Sequence, residues 1–143
     1  MSLHSRSVLV KADVVMSVLG LRADEVYERV DGGSLLHPGF LWVWDVAVGR
    51  KTKRDLRFFA REIIAPESTA KLELSAVLDI ILPPKRGSYH SGDLLRMLQI
   101  RRPTLADLRD ELNGELAGAR NCIFPAVAVR DFLTRRWQGA SRK

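Results

Sequence analysis

The sequence of 143 residues is 46% hydrophobic and carries a formal net charge of +6 at pH 7, which is enough apolar material for one sizeable core or two small ones. It contains no run of 18 apolar residues, and its polar beginning, residues 1–11, is unlike a signal peptide, so we predict a soluble, cytoplasmic protein without a membrane partner. The single cysteine, Cys122, excludes an internal disulfide. The three histidines lack the spacing of metal ligands, so we predict no metal and no cofactor.

The positive charge is distributed unevenly along the chain. Residues 1–79 contain 11 Lys or Arg and 11 Asp or Glu, whereas residues 80–143 contain 12 and 6, so the whole excess lies in the second half. A basic half is typical of proteins with an acidic partner such as nucleic acid, and it is equally compatible with a role in solubility.

The first predicted elements form a helix-turn-helix. Residues 12–19 carry apolar side chains at helical spacing, and Gly20 permits the positive φ that a sharp turn between two helices needs. In the second helix Val26 and Val30 lie four residues apart on the inner face, while charged side chains take the outer face. Gly32-Gly33 then ends this helix.

Residues 40–48, from Phe40 to Val48, form a stretch that is apolar on both faces of a predicted strand. We interpret Trp42 and Trp44 as core or interface residues, and self-association through this stretch is one way to cover its second face. The alternative is a platform on which the bases of a single strand stack.

A basic turn and a predicted helix follow this strand. The turn, residues 49–54, has four cations in five positions, which predicts contacts with phosphate groups or, alternatively, a solvated hairpin. Residues 55–64 have apolar side chains at helical spacing, including Leu56 and Phe59, with Arg57 on the exposed side.

These residues resemble the N-terminal half of excisionase-like, MerR-like winged-helix domains. The family pattern appears here as Leu19-Gly20-Leu21, Val26-Tyr27 and Gly33-Ser34-Leu35. In that family a hairpin wing and a closing helix come next, which agrees with the elements predicted over residues 40–48 and 53–64. The resemblance covers most of residues 8–64, and it implies a winged helix-turn-helix that binds DNA.

The second half repeats the apolar pattern of this motif at a constant offset of 79 residues. Arg22 falls opposite Arg101, and the apolar residues Val15, Val18, Leu19, Leu21 and Val26 fall opposite Leu94, Met97, Leu98, Ile100 and Leu105. With a small shift, Gly33-Ser34-Leu35 matches Gly114-Glu115-Leu116, and Arg54-Asp55-Leu56 matches Arg130-Asp131-Phe132.

Two domains are therefore predicted, residues 1–66 and 67–143, with a boundary at the proline-broken residues 65–69. In the second domain, residues 100–105 resemble the turn and first residues of a recognition helix, and residues 123–125 resemble a wing strand before a closing helix. The predicted fold class is mainly α with short β wings, arranged as two winged helix-turn-helix units in tandem.

The predicted function is binding of duplex DNA, by a transcriptional regulator or an excisionase-like recombination accessory protein of a bacterium or phage. The predicted contacts are basic or hydroxyl side chains of both motifs and of the loops beside them: Arg22, Arg29, Arg50, Lys51, Lys53, Arg54, Lys85, Arg86, Arg101, Arg102, Thr104, Arg109 and Arg120. No catalytic constellation stands out, so we predict no enzyme.

The alternative function is a protein-interaction or architectural module that keeps the fold without binding DNA. It draws support from the first recognition helix, whose exposed face is net acidic: Asp24, Glu25, Glu28 and Asp31 against Arg22 and Arg29. Such a face repels phosphate groups, so the second motif is the better candidate for reading DNA.

Overall fold

The computed structural model describes residues 8–49, 53–83, 86–116 and 122–138. Helices account for 47% of the structure and strands for 18%, so the fold is mixed α/β and the prediction of a mainly α protein is wrong in that respect. The elements are β1 Leu9–Lys11, α1 Ala12–Leu19, α2 Ala23–Val30, β2 Val43–Asp45, β3 Leu56–Phe59, α3 Ala60–Ile64, α4 Pro66–Thr69, α5 Leu74–Ile81, β4 Ser88–His90, α6 Ser91–Met97, α7 Arg102–Leu108, β5 Glu115–Leu116, β6 Cys122–Pro125 and α8 Ala126–Arg135.

One succession of elements occurs twice: strand, two helices, two strands and a helix. We call β1 to α3 the first unit and β4 to α8 the second unit. Each unit contains a three-stranded antiparallel sheet in which the last strand is central, in the order β1-β3-β2 and β4-β6-β5. β4, α6 and α7 begin 79 residues after β1, α1 and α2, which is the offset of the sequence repeat.

The ends of the two units match at a different offset. β6 and α8 begin 66 residues after β3 and α3. The predicted match of Arg54-Asp55-Leu56 with Arg130-Asp131-Phe132 is therefore wrong, because Leu56 begins a strand and residues 130–132 lie within α8.

The turn between the two helices has the same hydrogen bond in both units. Leu21 N–H donates to Met16 O at 3.0 Å, and Ile100 N–H donates to Leu95 O at 3.3 Å. The left-handed position of the first turn is Gly20, with φ 68°, but the second turn has Gln99 there, with φ 55°. A side chain at positive φ is strained, so the second turn pays a cost that the first avoids.

The helix-like interpretation of residues 55–64 is correct only for its second half. Leu56–Phe59 is the central strand of the first sheet, and all four of its side chains are buried. A strand covered on both faces has a continuous apolar run, which periodicity alone does not separate from a buried helix.

Arg57, predicted to be exposed, is 3% exposed within β3. Its Nε donates to Leu98 O at 2.9 Å and its Nη2 donates to Gln99 O at 2.8 Å, while Nη1 contacts the carboxylate of Asp55 at 2.5 Å. This arginine of the first unit therefore holds the helix-helix turn of the second unit.

Trp42 and Trp44, at 3% and 0% exposure, lie in a core cluster that contains residues of both units and of α5. The interpretation as core residues is confirmed, and the base-stacking platform is wrong because the rings are covered. Phe40 and Val46 are also buried, so residues 40–48 present little apolar surface for self-association.

The residues after α8 return to the first sheet. Asp45 N–H donates to Arg136 O at 3.0 Å, Gln138 N–H donates to Val43 O at 2.7 Å, and the Trp137 ring stacks on Trp42 at 5.3 Å. The residues that follow α8 in the second unit therefore pair with β2 and extend that edge of the first unit's sheet. Across the described ranges, no helix has both the length and the apolar character needed to cross a membrane.

Candidate nucleic-acid interface

The beginning of α7 presents two arginines to solvent. Arg101 caps the helix with an extended backbone, and Arg102 is its first helical residue, followed by Pro103, whose missing N–H costs nothing in a first turn. Both arginine side chains are exposed and make neither an ion pair nor a hydrogen bond with any residue of the described ranges. Their full positive charge is therefore available to a ligand.

The beginning of α2 has the same geometry but no such charge. Arg22 is the equivalent of Arg101, and its Nε lies 3.1 Å from Asp24 Oδ1 and 3.7 Å from Glu25 Oε1. The hydrogen bond between the Arg22 and Asp24 side chains raises the pKa of Arg22 and lowers that of Asp24. The equivalent of Arg102 is Ala23. The sequence Arg-Ala-Asp-Glu thus stands where the second unit has Arg-Arg-Pro-Thr.

The other predicted contacts in the first unit are mostly engaged within the protein. Arg29 donates from Nε to Pro38 O at 3.0 Å, and its guanidinium lies 4.3 Å from the centroid of the Phe40 ring. Arg54 Nη1 lies 2.7 Å from Asp31 Oδ1, in a contact that raises the pKa of Arg54. The Lys53 side chain is exposed.

In the second unit, the other predicted DNA-contact residues differ in how far their side chains are engaged within the protein. Thr104 is half-buried on α7, and Arg109, just after α7, is half-buried with its Nε 3.5 Å from Gly114 O. Arg86 Nη2 lies 2.9 Å from Asp93 Oδ2. Arg50, Lys51, Lys85 and Arg120 lie outside the described residues. Of the thirteen predicted side chains, Arg101, Arg102, Thr104 and Arg109 come together on α7 and its end.

A cavity of about 240 Å³ opens beside α7. We call it the α7 cavity. It is lined by Ser91, Arg102, Leu105, Ala106, Arg109, Cys122 and Phe124, so it lies between α7, the beginning of α6 and β6. Arg102 and Arg109 were predicted from the sequence, but Ser91 and Ala106 were not. The signal was present, because the offset of 79 places Ala12 and Tyr27 opposite them.

No protein-family model matches the chain, and searches of curated proteins and of solved structures find no match.

Proposed function

We propose that this protein binds duplex DNA, that both units are winged helix-turn-helix domains, and that α7 is the helix that reads the DNA. The observation that carries the proposal is the pair of exposed, unpaired arginines at the beginning of α7. In a helix-turn-helix, the second helix enters the major groove with its N-terminal residues against base edges. Arg101 and Arg102 occupy that position.

Arginine suits this position chemically because its planar guanidinium donates two hydrogen bonds to the O6 and N7 acceptors of guanine. Thr104, two residues further along, offers a hydroxyl that both donates and accepts. Arg109 lies at the other end of the helix, where it would contact a phosphate rather than a base.

Phosphate contacts beside the reading helix would position the protein on the duplex. The candidates are other basic residues predicted from the sequence, Arg50, Lys51, Lys53, Lys85, Arg86 and Arg120. Arg22, Arg29, Arg54 and Arg86 must first give up their contacts within the protein. We therefore assign them a smaller contribution than Arg101 and Arg102.

The resemblance to excisionase-like domains supports a role as a bacterial or phage transcriptional regulator or recombination accessory protein. Both roles require the same first property, which is affinity for duplex DNA that falls with salt concentration.

The test is fluorescence anisotropy of a labelled random duplex titrated with protein from about 50 to 200 mM salt, the range in which phosphate contacts dominate binding. We expect Arg101→Glu plus Arg102→Glu to weaken binding by roughly tenfold or more, because two charges that attract the phosphate backbone become charges that repel it. The matched control is Arg61→Glu plus Lys71→Glu, which makes the same charge change at two exposed residues away from α7. Equal losses in the two variants would mean that only net charge matters, and α7 would not be the reading helix.

A second candidate function, a protein-interaction module, is favoured by one feature of the first unit. Leu35 and Leu36 are 101% and 86% exposed in the loop after the acidic helix α2, and adjacent exposed leucines are typical of protein contact sites. If the wild-type protein does not bind DNA at 50 mM salt, this module becomes the better account. Capture of a partner that Leu35→Ser plus Leu36→Ser abolishes would then establish it.

A further inference from the structure

Four of the residues that line the α7 cavity differ from their equivalents in the first unit. At the offset of 79, Ser91, Arg102 and Ala106 stand opposite Ala12, Ala23 and Tyr27, and Arg109 stands opposite Val30. The second unit thus has polar or charged residues at three positions that are apolar in the first unit, and a methyl group where the first unit has the ring of Tyr27. In the first unit the half-buried Tyr27 occupies the corresponding place, with the Arg54 guanidinium 4.9 Å from its ring centroid.

The polar groups of the cavity are available to a ligand. The Ser91 side chain is 5% exposed and accepts a hydrogen bond from Cys122 N–H at 3.0 Å, while its own proton has no acceptor among the described residues. Arg102 makes no polar contact with the described part of the chain, and Arg109 makes only a long one, to Gly114 O at 3.5 Å. The cavity therefore offers two guanidinium groups and a hydroxyl, and its lining contains no carboxylate among the described residues.

The remaining lining is apolar and includes Leu105 and the buried Phe124. Arginines select an oxyanion, such as a carboxylate or a phosphate, because a guanidinium donates two parallel hydrogen bonds to it. An apolar floor adds affinity only for a ligand that also has an apolar body. The volume of about 240 Å³ limits that body to about the size of one aromatic ring.

We propose that the α7 cavity binds a small organic anion, with its oxyanion between Arg102 and Arg109 and its apolar body against Leu105 and Phe124. Binding of the anion does not depend on the proposed function. One consequence does rest on it: because Arg102 and Arg109 are shared, the bound anion competes with DNA.

The test uses phenyl phosphate and benzoate as probes. Two further probes are controls: inorganic phosphate lacks the apolar body, and benzyl alcohol lacks the oxyanion. Ligand-observed NMR on the full chain measures each Kd, which we expect to be roughly millimolar for ligands of this size. We expect phenyl phosphate to bind at least tenfold more tightly than either inorganic phosphate or benzyl alcohol. Equal affinity for inorganic phosphate and phenyl phosphate would make the cavity a contact for a DNA phosphate and overturn the proposal.

Two substitutions restore the residues of the first unit and should remove the site. Ala106→Tyr fills the cavity and Arg109→Val removes one guanidinium, so we expect each to abolish binding of phenyl phosphate, whereas Arg61→Ala, at an exposed residue outside the cavity lining, leaves it intact. Unchanged binding in a folded Ala106→Tyr variant would contradict the proposal. If that variant does not fold, unchanged binding of phenyl phosphate to the Arg109→Val variant would contradict the proposal in the same way.

The anisotropy assay for DNA tests whether the bound anion competes with DNA. Phenyl phosphate at ten times its Kd should weaken DNA binding of the wild-type protein several-fold, and sodium chloride at the same ionic strength should weaken it less. If the protein does not bind DNA at all, the proposed function fails while the NMR result still decides the cavity. If the probe binds and DNA binding is insensitive to it, the assignment of the oxyanion to Arg102 and Arg109 is wrong.

Discussion

The two units share their order of elements, their sheet topology and the hydrogen bond of their turn, but they differ in charge at the beginning of the second helix. The first turn of α2 carries Asp24 and Glu25, which engage Arg22. The first turn of α7 carries Pro103 and Thr104, and the Arg101 side chain makes neither an ion pair nor a hydrogen bond with the described residues. The backbone is thus repeated, and the surface that would meet a ligand is not. Function in this protein follows the side chains on the fold rather than the fold itself.

A second difference is that the first unit supports the second. Arg57 of β3 bonds two carbonyl groups of the second turn, and the Trp44 ring lies in a core cluster built from both units. The units are alike in topology but depend on each other for stability. Substitutions that break these contacts between the units should therefore separate residues that stabilise the fold from residues that bind a ligand.

The largest effect is expected from Trp44→Ala. The ring is completely buried, and its Nε1–H has no hydrogen-bond partner in the described structure, so the ring stabilises through packing alone. Truncation should lower the free energy of unfolding by about 4 kcal/mol, the usual cost of such a cavity. Chemical denaturation should still show a single transition, because both units lose the same core.

The fully exposed Leu35 provides the control for this substitution, and Leu35→Ala should change stability by less than about 0.5 kcal/mol. Two separate transitions in the Trp44→Ala variant, with the second unit unaffected, would show that the core is not shared energetically.

The next effect is expected from Arg57→Met. This change leaves the Leu98 and Gln99 carbonyl groups without their buried donor, which should lower the free energy of unfolding by about 3 kcal/mol. Hydrogen exchange should become faster at residues 98–102, next to the lost bonds. The matched control is Arg61→Met, at an exposed position of α3. A variant as stable as the control would mean that Arg57 does not hold the second turn.

The smallest effect distinguishes the two turns directly. Gly20→Ala introduces a side chain at φ 68° with open space around it, so it should lower the free energy of unfolding by about 1 kcal/mol through backbone strain alone. Gln99→Gly relieves the same strain but loses the 2.8 Å bond from Gln99 Nε2 to Arg96 O, so we expect a gain of only about 0.5 kcal/mol. Thermal denaturation measures both changes. Changes of the same sign in the two variants would contradict this explanation.

The sequence predicted the repeat well where local rules determine structure. Helix α1 was located correctly, and the offset of 79 matches the beginnings of three elements, because apolar spacing and turn residues act over a few positions. Strand β3 was missed because both of its faces are buried. The burial of Arg57 depends on carbonyl groups about 40 residues away, which no local pattern reveals.

For the candidate site, the residue types were visible in the sequence, and the acidic residues beside Arg22 already favoured the second motif. The sequence did not show the contacts themselves: the structure pairs the Arg22 side chain with Asp24 and gives the Arg101 side chain neither an ion pair nor a hydrogen bond among the described residues. The α7 cavity was overlooked for a different reason: Ser91 and Ala106 carry no signal alone and become informative only beside Ala12 and Tyr27.

The proposed function requires that α7 provide the main contact with DNA and that α2 provide at most a minor one. The most direct test is an NMR titration of the isotope-labelled protein with a short duplex at low salt, following backbone amides and arginine Nε–H groups. We predict that the largest shifts occur at residues 101–109, including the side chains of Arg101 and Arg102, while residues 22–31 of the equivalent helix shift much less. Shifts concentrated in residues 22–31, or none in either helix at about 50 mM salt, where phosphate contacts are strong, would contradict the account.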